Sequence, residues 1–352
     1  MERVAVVIPA YQPDEQLIAF CHRIREATNQ EIVVVDDGCG EAYAHIFSAV
    51  EKVPFCTVLH HEVNRGKGRG LKTAFEHLLR IREGLLGCVT ADADGQHSVE
   101  DLIACSEALR NNPNSLVLGC RNFDLESVPA KSRAGNKITK FVCRHLCGIN
   151  VSDTQTGLRA IPTAFMEDLL KVQGERFEFE TNMLIAARGN YPFFEVPICT
   201  IYDSATDHHT HFNPVKDSFK IYAALLKSFF KYVLSSFSSC IVDIGLFTLF
   251  CFLFEGPFKT VMYVTLATVL ARVISATYNY VVNYTFVFDS HKKKRVTVPK
   301  YISLAIAQML ISALLTTVGV WLIPGAFETV VKIAVDAILF VISYQIQKRW
   351  IF

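Results

Sequence analysis

Residues 92–97, Asp-Ala-Asp-Gly-Gln-His, hold the pattern most suggestive of chemistry in this chain. Two carboxylates two residues apart can share one hard cation, with the Gln96 amide oxygen as a further ligand. Mg2+ or Mn2+ held by so few protein oxygens completes its shell with substrate phosphates. Acidic turns are common, so the pattern gains weight only from lying just past an apolar run. A glycine-rich stretch, NRGKGRG at 64–70, precedes a helical pattern. It is no Walker A loop, because Gly68 follows Lys67 where Ser or Thr is required. A helix start that binds an anion and a plain glycine turn both fit it. The basic run KSRAGNKITK (131–140) reads by itself as a solvated helix face. His208, His209 and His211 cluster without a nearby Cys or Glu, so they read as loop residues rather than a zinc site. The eleven cysteines are scattered, which fits reduced thiols better than disulfides or a metal cluster.

The elements that must position these residues are legible as apolar runs. Strands are expected at 4–8, 31–35, 56–60, 86–91 and 115–119, separated by helical patterns near 14–28, 41–51, 68–83 and 99–110. That alternation predicts an α/β domain with a mainly parallel sheet. Ligands of such sheets bind beyond the C-terminal strand ends. The polar residues fall there: Pro9 and Tyr11, Asp36 and Asp37, then Asp92, Asp94 and Gln96, and Arg121.

The chain has 352 residues, a net charge of +1 and a mean hydropathy of +0.28, and these averages hide a division. The first 231 residues hold 29 acids and 25 bases; the last 121 hold five and ten. No basic excess marks a nucleic-acid partner. The start, MERVAVVIPAYQPDEQL, lacks the long apolar run and cleavage site of a signal peptide, so the N-terminal part is expected in the cytosol. Four apolar stretches follow, near 232–254, 261–288, 301–323 and 327–347, each close to the ~20 residues needed to cross a bilayer. The HKKKR run at 291–295 and the Lys348–Arg349 pair place both termini on the cytosolic side. Residues 214–231 put Phe219, Tyr222, Leu226 and Phe229 on one helical side and Lys216, Lys220, Lys227 and Lys231 on the other, as an interfacial helix does. Within the spans, Asp243, Arg272, Lys332 and Asp336 need partners. Lys332 and Asp336, spaced i, i+4, suit each other, and a role toward a polar headgroup is equally open. A weak repeat relates 279–288 (NYVVNYTFVF) to 343–352 (SYQIQKRWIF) at an offset of 64.

Together VVIPAYQPDEQL, IVVVDDG, NRGKG, ADADGQH, LGCR, DTQTGLR and HFNPVKDS, spread over residues 4–218, resemble glycosyltransferase family 2. The likeness is to polyprenyl-phosphate sugar transferases of the dolichol-phosphate mannose synthase type. The four-span region, with NYTFVF and QKRWIF, resembles the GtrA-like membrane domain. The resemblance implies a GT-A α/β domain over 1–213, an interfacial region over 214–231, and an all-α transmembrane domain of four helices over 232–352. Asp92, Asp94 and Gln96 would hold Mg2+ or Mn2+ on the donor diphosphate. Pro9, Tyr11 and Asp37 would surround the nucleobase and ribose, Ala93 would pack nearby, and Arg121 would contact the donor. Arg133 would receive the acceptor phosphate, in a region that His211 and Lys216 close over.

The implied partners are a nucleotide sugar, a polyprenyl phosphate and the bilayer, with self-association left open. The implied activity is metal-dependent, inverting hexosyl transfer to the lipid phosphate by a multi-pass protein of the cytoplasmic membrane. Transfer to another glycolipid, or synthesis coupled to flipping of the product, are the alternatives. Two departures stand out. Tyr11-Gln12-Pro13 replaces the Tyr-Asn-Glu of many relatives, and histidines replace basic residues before the interfacial helix. Gln155 is followed by Thr-Gly-Leu-Arg-Ala, unlike the Gln-x-x-Arg-Trp of processive synthases.

Overall fold

A computed structural model describes residues 3–123, 130–199, 216–254, 260–290, 292–322 and 328–352. The chain divides into two compact units, Met1–Leu225 and Leu226–Phe352.

The first unit runs β1 (Arg3–Ala10), α1 (Gln16–Ala27), β2 (Ile32–Asp36), α2 (Ala44–Val50), β3 (Cys56–His60), α3 (Lys67–Arg80), β4 (Leu85–Thr90), α4 (Val99–Asn111), β5 (Leu116–Arg121), α5 (Ala130–Val142), β6 (Arg159–Pro162), α6 (Thr163–Leu169), α7 (Glu178–Ala187) and β7 (Phe193–Ile198). The sheet order is β3-β2-β1-β4-β6-β5-β7. All pairs are parallel except those of β6, which runs antiparallel to β4 and β5. The sheet is thus mainly parallel, as expected, with β6 the antiparallel exception.

The continuous apolar runs are strands covered on both faces. Successive side chains point to opposite faces, so Ala5 and Val7 of β1 enter one core while Val4, Val6 and Ile8 enter the other. Helix α3 buries Leu71, Ala74, Phe75 and Leu78, an i, i+3, i+4, i+7 stripe. Helix α4 starts where Ser98 Oγ accepts the Asp101 N–H at 3.0 Å, a side-chain cap. Strand β1 pairs with β2 on one side and β4 on the other, so the chain reverses its direction of travel across the sheet between them. That crevice, at the C-terminal ends of β1 and β4, is where such sheets bind ligands.

The second unit is helical: the later part of α8 (Lys216–Phe254), then α9 (Thr260–Val282), α10 (Lys294–Leu322) and α11 (Glu328–Ile346). Among the described residues, three stretches are long and apolar enough to cross a membrane: Leu225–Phe254, Lys294–Gly319 and Val330–Ile351. Many of their exposed residues are apolar, Phe237, Ile241, Leu310 and Ile338 among them. The charges expected to need partners, Asp243, Arg272, Lys332 and Asp336, do find them. Arg272 pairs with Asp243 at 3.2 Å, and Lys332 with Asp336 at 2.5 Å. Ser275 donates to Asp243 and Ser312 to Asp336, so each carboxylate also accepts a hydroxyl.

Candidate active site

The acidic turn leaves β4 beside the end of β1, tied there by the Ala91 N–H donating to Val7 C=O at 2.9 Å. Asp92 then meets Lys67, the first residue of α3, at 2.6 Å. Lys67 also reaches Glu180 of α7 at 3.0 Å, and His97 Nε2 lies 3.5 Å from the second Asp92 oxygen. Burial pushes the Asp92 carboxyl up, but Lys67 and His97 more than offset that and hold it well below the usual carboxylate range. Burial likewise lowers the Lys67 ammonium, and Asp92 and Glu180 together raise it above its ordinary value.

Gly157 makes this cluster fit. A Cβ there would lie 2.3 Å from the Asp92 carboxylate, and Thr90 Oγ1 donates to the Gly157 C=O at 2.7 Å. Asp94, two residues on, is exposed, and its Oδ1 accepts the Gln96 N–H at 3.1 Å. Among the described residues it has no ion pair, and its carboxyl is raised by the protein packed around it and by the Asp92 charge.

The glycine-rich loop turns out to be held by Asp37. One Asp37 oxygen accepts from His61 at 2.8 Å and from the Arg65 N–H at 2.9 Å; the other accepts the Gly66 N–H at 2.7 Å. Asp37 is only 3% exposed. Its neighbour Asp36 accepts from Cys39 N–H and pairs with His60. Gly66 has φ +101°, and a Cβ on it would meet the Glu175 carbonyl at 2.4 Å. Gly66 and Gly68 answer to close packing on the 175–179 segment, and Gly70 to Pro9. Pro9 and Tyr11 lie half-buried beside this loop's anchor, with the Asp37 N–H donating to Ala10 C=O at 2.9 Å.

Arg121, at the end of β5, forms a two-pronged bond to the fully buried Asp153, 2.7 and 3.1 Å. Its face also lies over Phe123, 5.0 Å from the ring centroid. Arg159 of β6 is 1% exposed and donates to the carbonyls of Thr156 and Glu180 at 2.9 and 2.6 Å. Arg133 is half-buried on α5, in one row with the exposed Lys137 and Lys140 at i+4 and i+7. Ile138 and Phe141, 56% and 63% exposed, adjoin that row. The basic run is thus a helix with an apolar strip as well as a solvated one. His208, His209 and His211 lie outside the described residues, as does the side chain of Lys216, which opens α8.

Asp92, Ala93, Asp94 and Gln96 therefore share one turn beside Pro9 and Tyr11, with Asp37 behind and Arg121 held by Asp153. Sequence reasoning missed the counter-ions Lys67 and Glu180. Lys67 carried a signal, since a cation in a helix's first turn opposes the macrodipole and needs compensation. Glu180 sits in the acidic ERFEFE stretch and carried none.

The fold and site define a membrane-attached α/β protein with a polar ligand crevice at a sheet switch point. Comparison with known families makes this specific. Residues 5–170 match the family described as glycosyl transferase family 2, and residues 231–352 the GtrA/DPMS transmembrane domain. The chain joins a family 2 glycosyltransferase domain to a GtrA/DPMS membrane domain. It is 28% identical over 221 residues to the UDP-N-acetylglucosamine–dolichyl-phosphate N-acetylglucosaminyltransferase of Methanococcus voltae, covering 56% of this chain and 86% of that protein. It is 28% identical to the polyprenol monophosphomannose synthase of Mycolicibacterium smegmatis, covering 56% and 77%. It is 29% identical to the undecaprenyl-phosphate mannosyltransferase of Micrococcus luteus, covering 56% and 82%.

Proposed function

We propose that this chain transfers a sugar from a nucleotide-sugar donor to a polyprenyl phosphate, inverting the anomeric centre. The observation that carries the proposal is the acidic turn at the β1/β4 switch point, on a chain whose relatives with assigned activities use dolichyl, polyprenol or undecaprenyl phosphate. In this reading 1–213 is a GT-A domain and the second unit crosses the cytoplasmic membrane four times with both termini cytosolic. Only three of its helices meet the length and hydropathy needed among the described residues.

A phosphate monoester has its second pKa near ~6, so the attacking oxygen is largely ionised at neutral pH. A strong general base is not required. Pro9 and Tyr11 bind the nucleoside. Asp37 acts through the loop it holds rather than by direct contact, because its oxygens are engaged. Arg121, fixed by Asp153, faces the donor, and Arg133 orients the lipid phosphate. The Lys137–Lys140 row and Ile138–Phe141 strip of the same helix suit a bilayer surface. The resemblance alone assigns His211 and Lys216 to the acceptor phosphate.

The donor set fits Mg2+ or Mn2+: Asp94 and Gln96 offer oxygens from one turn, with Asp92 beside them in its ion pair. No group of three His, Cys, Asp or Glu side chains suits a metal among the described residues; at a site of so few carboxylates, substrate phosphates and water would complete the shell. Bound there, the ion would stabilise charge on the leaving diphosphate.

The deciding experiment is a panel of UDP- and GDP-sugars with a polyprenyl phosphate and Mg2+ or Mn2+. One donor should give a lipid-phosphate sugar of inverted configuration. Transfer to other glycolipids but never to the lipid phosphate would reject the acceptor assignment. Arg133→Ala should raise the KM for lipid phosphate more than that for donor, and unchanged constants would remove Arg133 from that role.

A further inference from the structure

The weak repeat in the sequence reappears as geometry in the membrane unit. Asn283 and Gln347, 64 positions apart, each open a five-residue π-helical turn, Asn283–Val287 and Gln347–Ile351. Asn283 Nδ2 donates to Gln347 Oε1 at 3.1 Å. Phe288 and Phe352, which follow the two turns, stack at 5.2 Å and 18°. Beside these self-pairs the contacts are exchanged. Tyr280 of the first copy lies 5.7 Å from Phe352 of the second, and Tyr344 of the second 5.9 Å from Phe288 of the first. Self-pairs on an axis with exchanged pairs beside it are the signature of a two-fold.

The leading helices, α8 and α10, obey the same relation at an offset of 69. Tyr301 bonds Asn279 at 2.7 Å, and Tyr232 bonds Ser343 at 3.3 Å. That offset also relates Lys231 to Lys300, which make the same two contacts. Lys231 Nζ donates to the Phe286 C=O at 3.1 Å and lies 4.4 Å from that ring's centroid. Lys300 Nζ donates to the Trp350 C=O at 3.3 Å and lies 5.0 Å from its ring. Phe286 and Trp350 are equivalent at offset 64, and both are exposed, 54% and 68%.

A carbonyl takes only one of an ammonium's three donors. Lys292, Lys293, Lys294 and Arg295 stand exposed at the start of α10. The ion pairs described in this unit are Asp243–Arg272 and Lys332–Asp336, so these bases are not balanced by carboxylates among the described residues. Bases clustered at span ends attract anionic headgroups, and an aromatic ring beside a lysine suits the headgroup–acyl boundary.

We infer that the membrane unit is one helical hairpin repeated about a pseudo-two-fold axis, and that Lys231–Phe286 and Lys300–Trp350 are its two equivalent stations for the headgroup of an anionic bilayer phospholipid. Charge complementarity selects that occupant, and the inference stands apart from the transfer reaction.

The chain has two tryptophans, which makes a test direct. Trp321→Phe leaves Trp350 as sole reporter. Adding Trp350→Phe and Phe286→Trp moves the reporter to the other station. Each full-length protein is placed in phosphatidylcholine vesicles containing either brominated phosphatidylglycerol or brominated phosphatidylcholine. The brominated anionic lipid should be enriched at both stations, about fivefold. Lys300→Gln should remove that preference at position 350 and keep it at 286; Lys231→Gln should do the reverse, and Lys→Arg at either should restore it. Equal quenching by the two lipids overturns the lipid assignment. A preference at one station alone overturns the equivalence. Loss of the preference on adding inorganic phosphate would assign the stations to a soluble anion and also overturn the proposal.

Discussion

Lys67, Asp92 and Glu180 bring three charges together at the strand ends of the N-terminal unit, whereas in the membrane unit Asn283 and Gln347 join the ends of two helices through neutral amides. The amides are satisfied completely: Ser235 donates to Asn283 Oδ1, and Gln347 Nε2 donates to Tyr232 and Ser343. A neutral, saturated network fixes how two hairpins register without placing a field in the bilayer. The charged cluster is different, because its ions are costly to bury and respond to any new charge beside them. One arrangement holds a shape; the other holds a potential where a diphosphate would arrive.

Four experiments press on that contrast. Asp94→Ala removes an exposed carboxylate and should cut transfer at least ~100-fold while leaving the thermal midpoint unchanged. Turnover at the wild-type rate would take Asp94 out of the site. Lys67→Met should strand Asp92 and Glu180, costing about 3–5 kcal/mol in chemical denaturation. Adding Asp92→Asn should return part of the stability but no activity. Recovery of transfer in the double variant would show the charges to be structural alone.

Asn283→Leu leaves an amide unpaired and should cost about 1–2 kcal/mol in detergent unfolding. Pairing it with Gln347→Leu should cost no more than the single change, and a larger, additive loss would deny that the two act as one contact. The smallest effect concerns Asp36. Burial pushes its carboxyl up, but the Cys39 and His60 bonds outweigh that and lower it. A group depressed in the folded state adds stability above its unfolded value, near ~3.9. That contribution fades as pH falls through the folded value, so Asp36→Asn should flatten the acid limb of the stability curve below about pH 4. An unchanged limb would refute the contribution.

The five leading strands were legible because each is an apolar run long enough to be covered on both faces. β6 and β7 were not. β6 is four residues that follow a polar motif, and β7 alternates irregularly between exposure and burial along Phe193–Ile198. The acidic turn was legible from residue type and position past a strand. Its counter-ions were not, since Lys67, Asp92 and Glu180 come from α3, the turn after β4, and α7, and only tertiary packing joins them. Asp37 stood out by its place just past β2, but its engagement with the 65–66 backbone depends on a loop conformation that spacing does not reveal. In the membrane unit the 64-residue offset was visible in three aromatic pairs and the Asn283–Gln347 pair; the 69-residue offset of the leading helices hid the rest.

Asn283 facing Gln347 has a historical consequence. A hairpin that pairs with a second copy of itself is written once in the gene, so whatever residue lies on the axis must face its own kind. Two copies joined in one chain escape that constraint, and each may then drift against the other. Asn opposite Gln is a pairing, and Phe286 with Trp350 at equivalent positions a difference, that a hairpin associating with an identical copy could not encode.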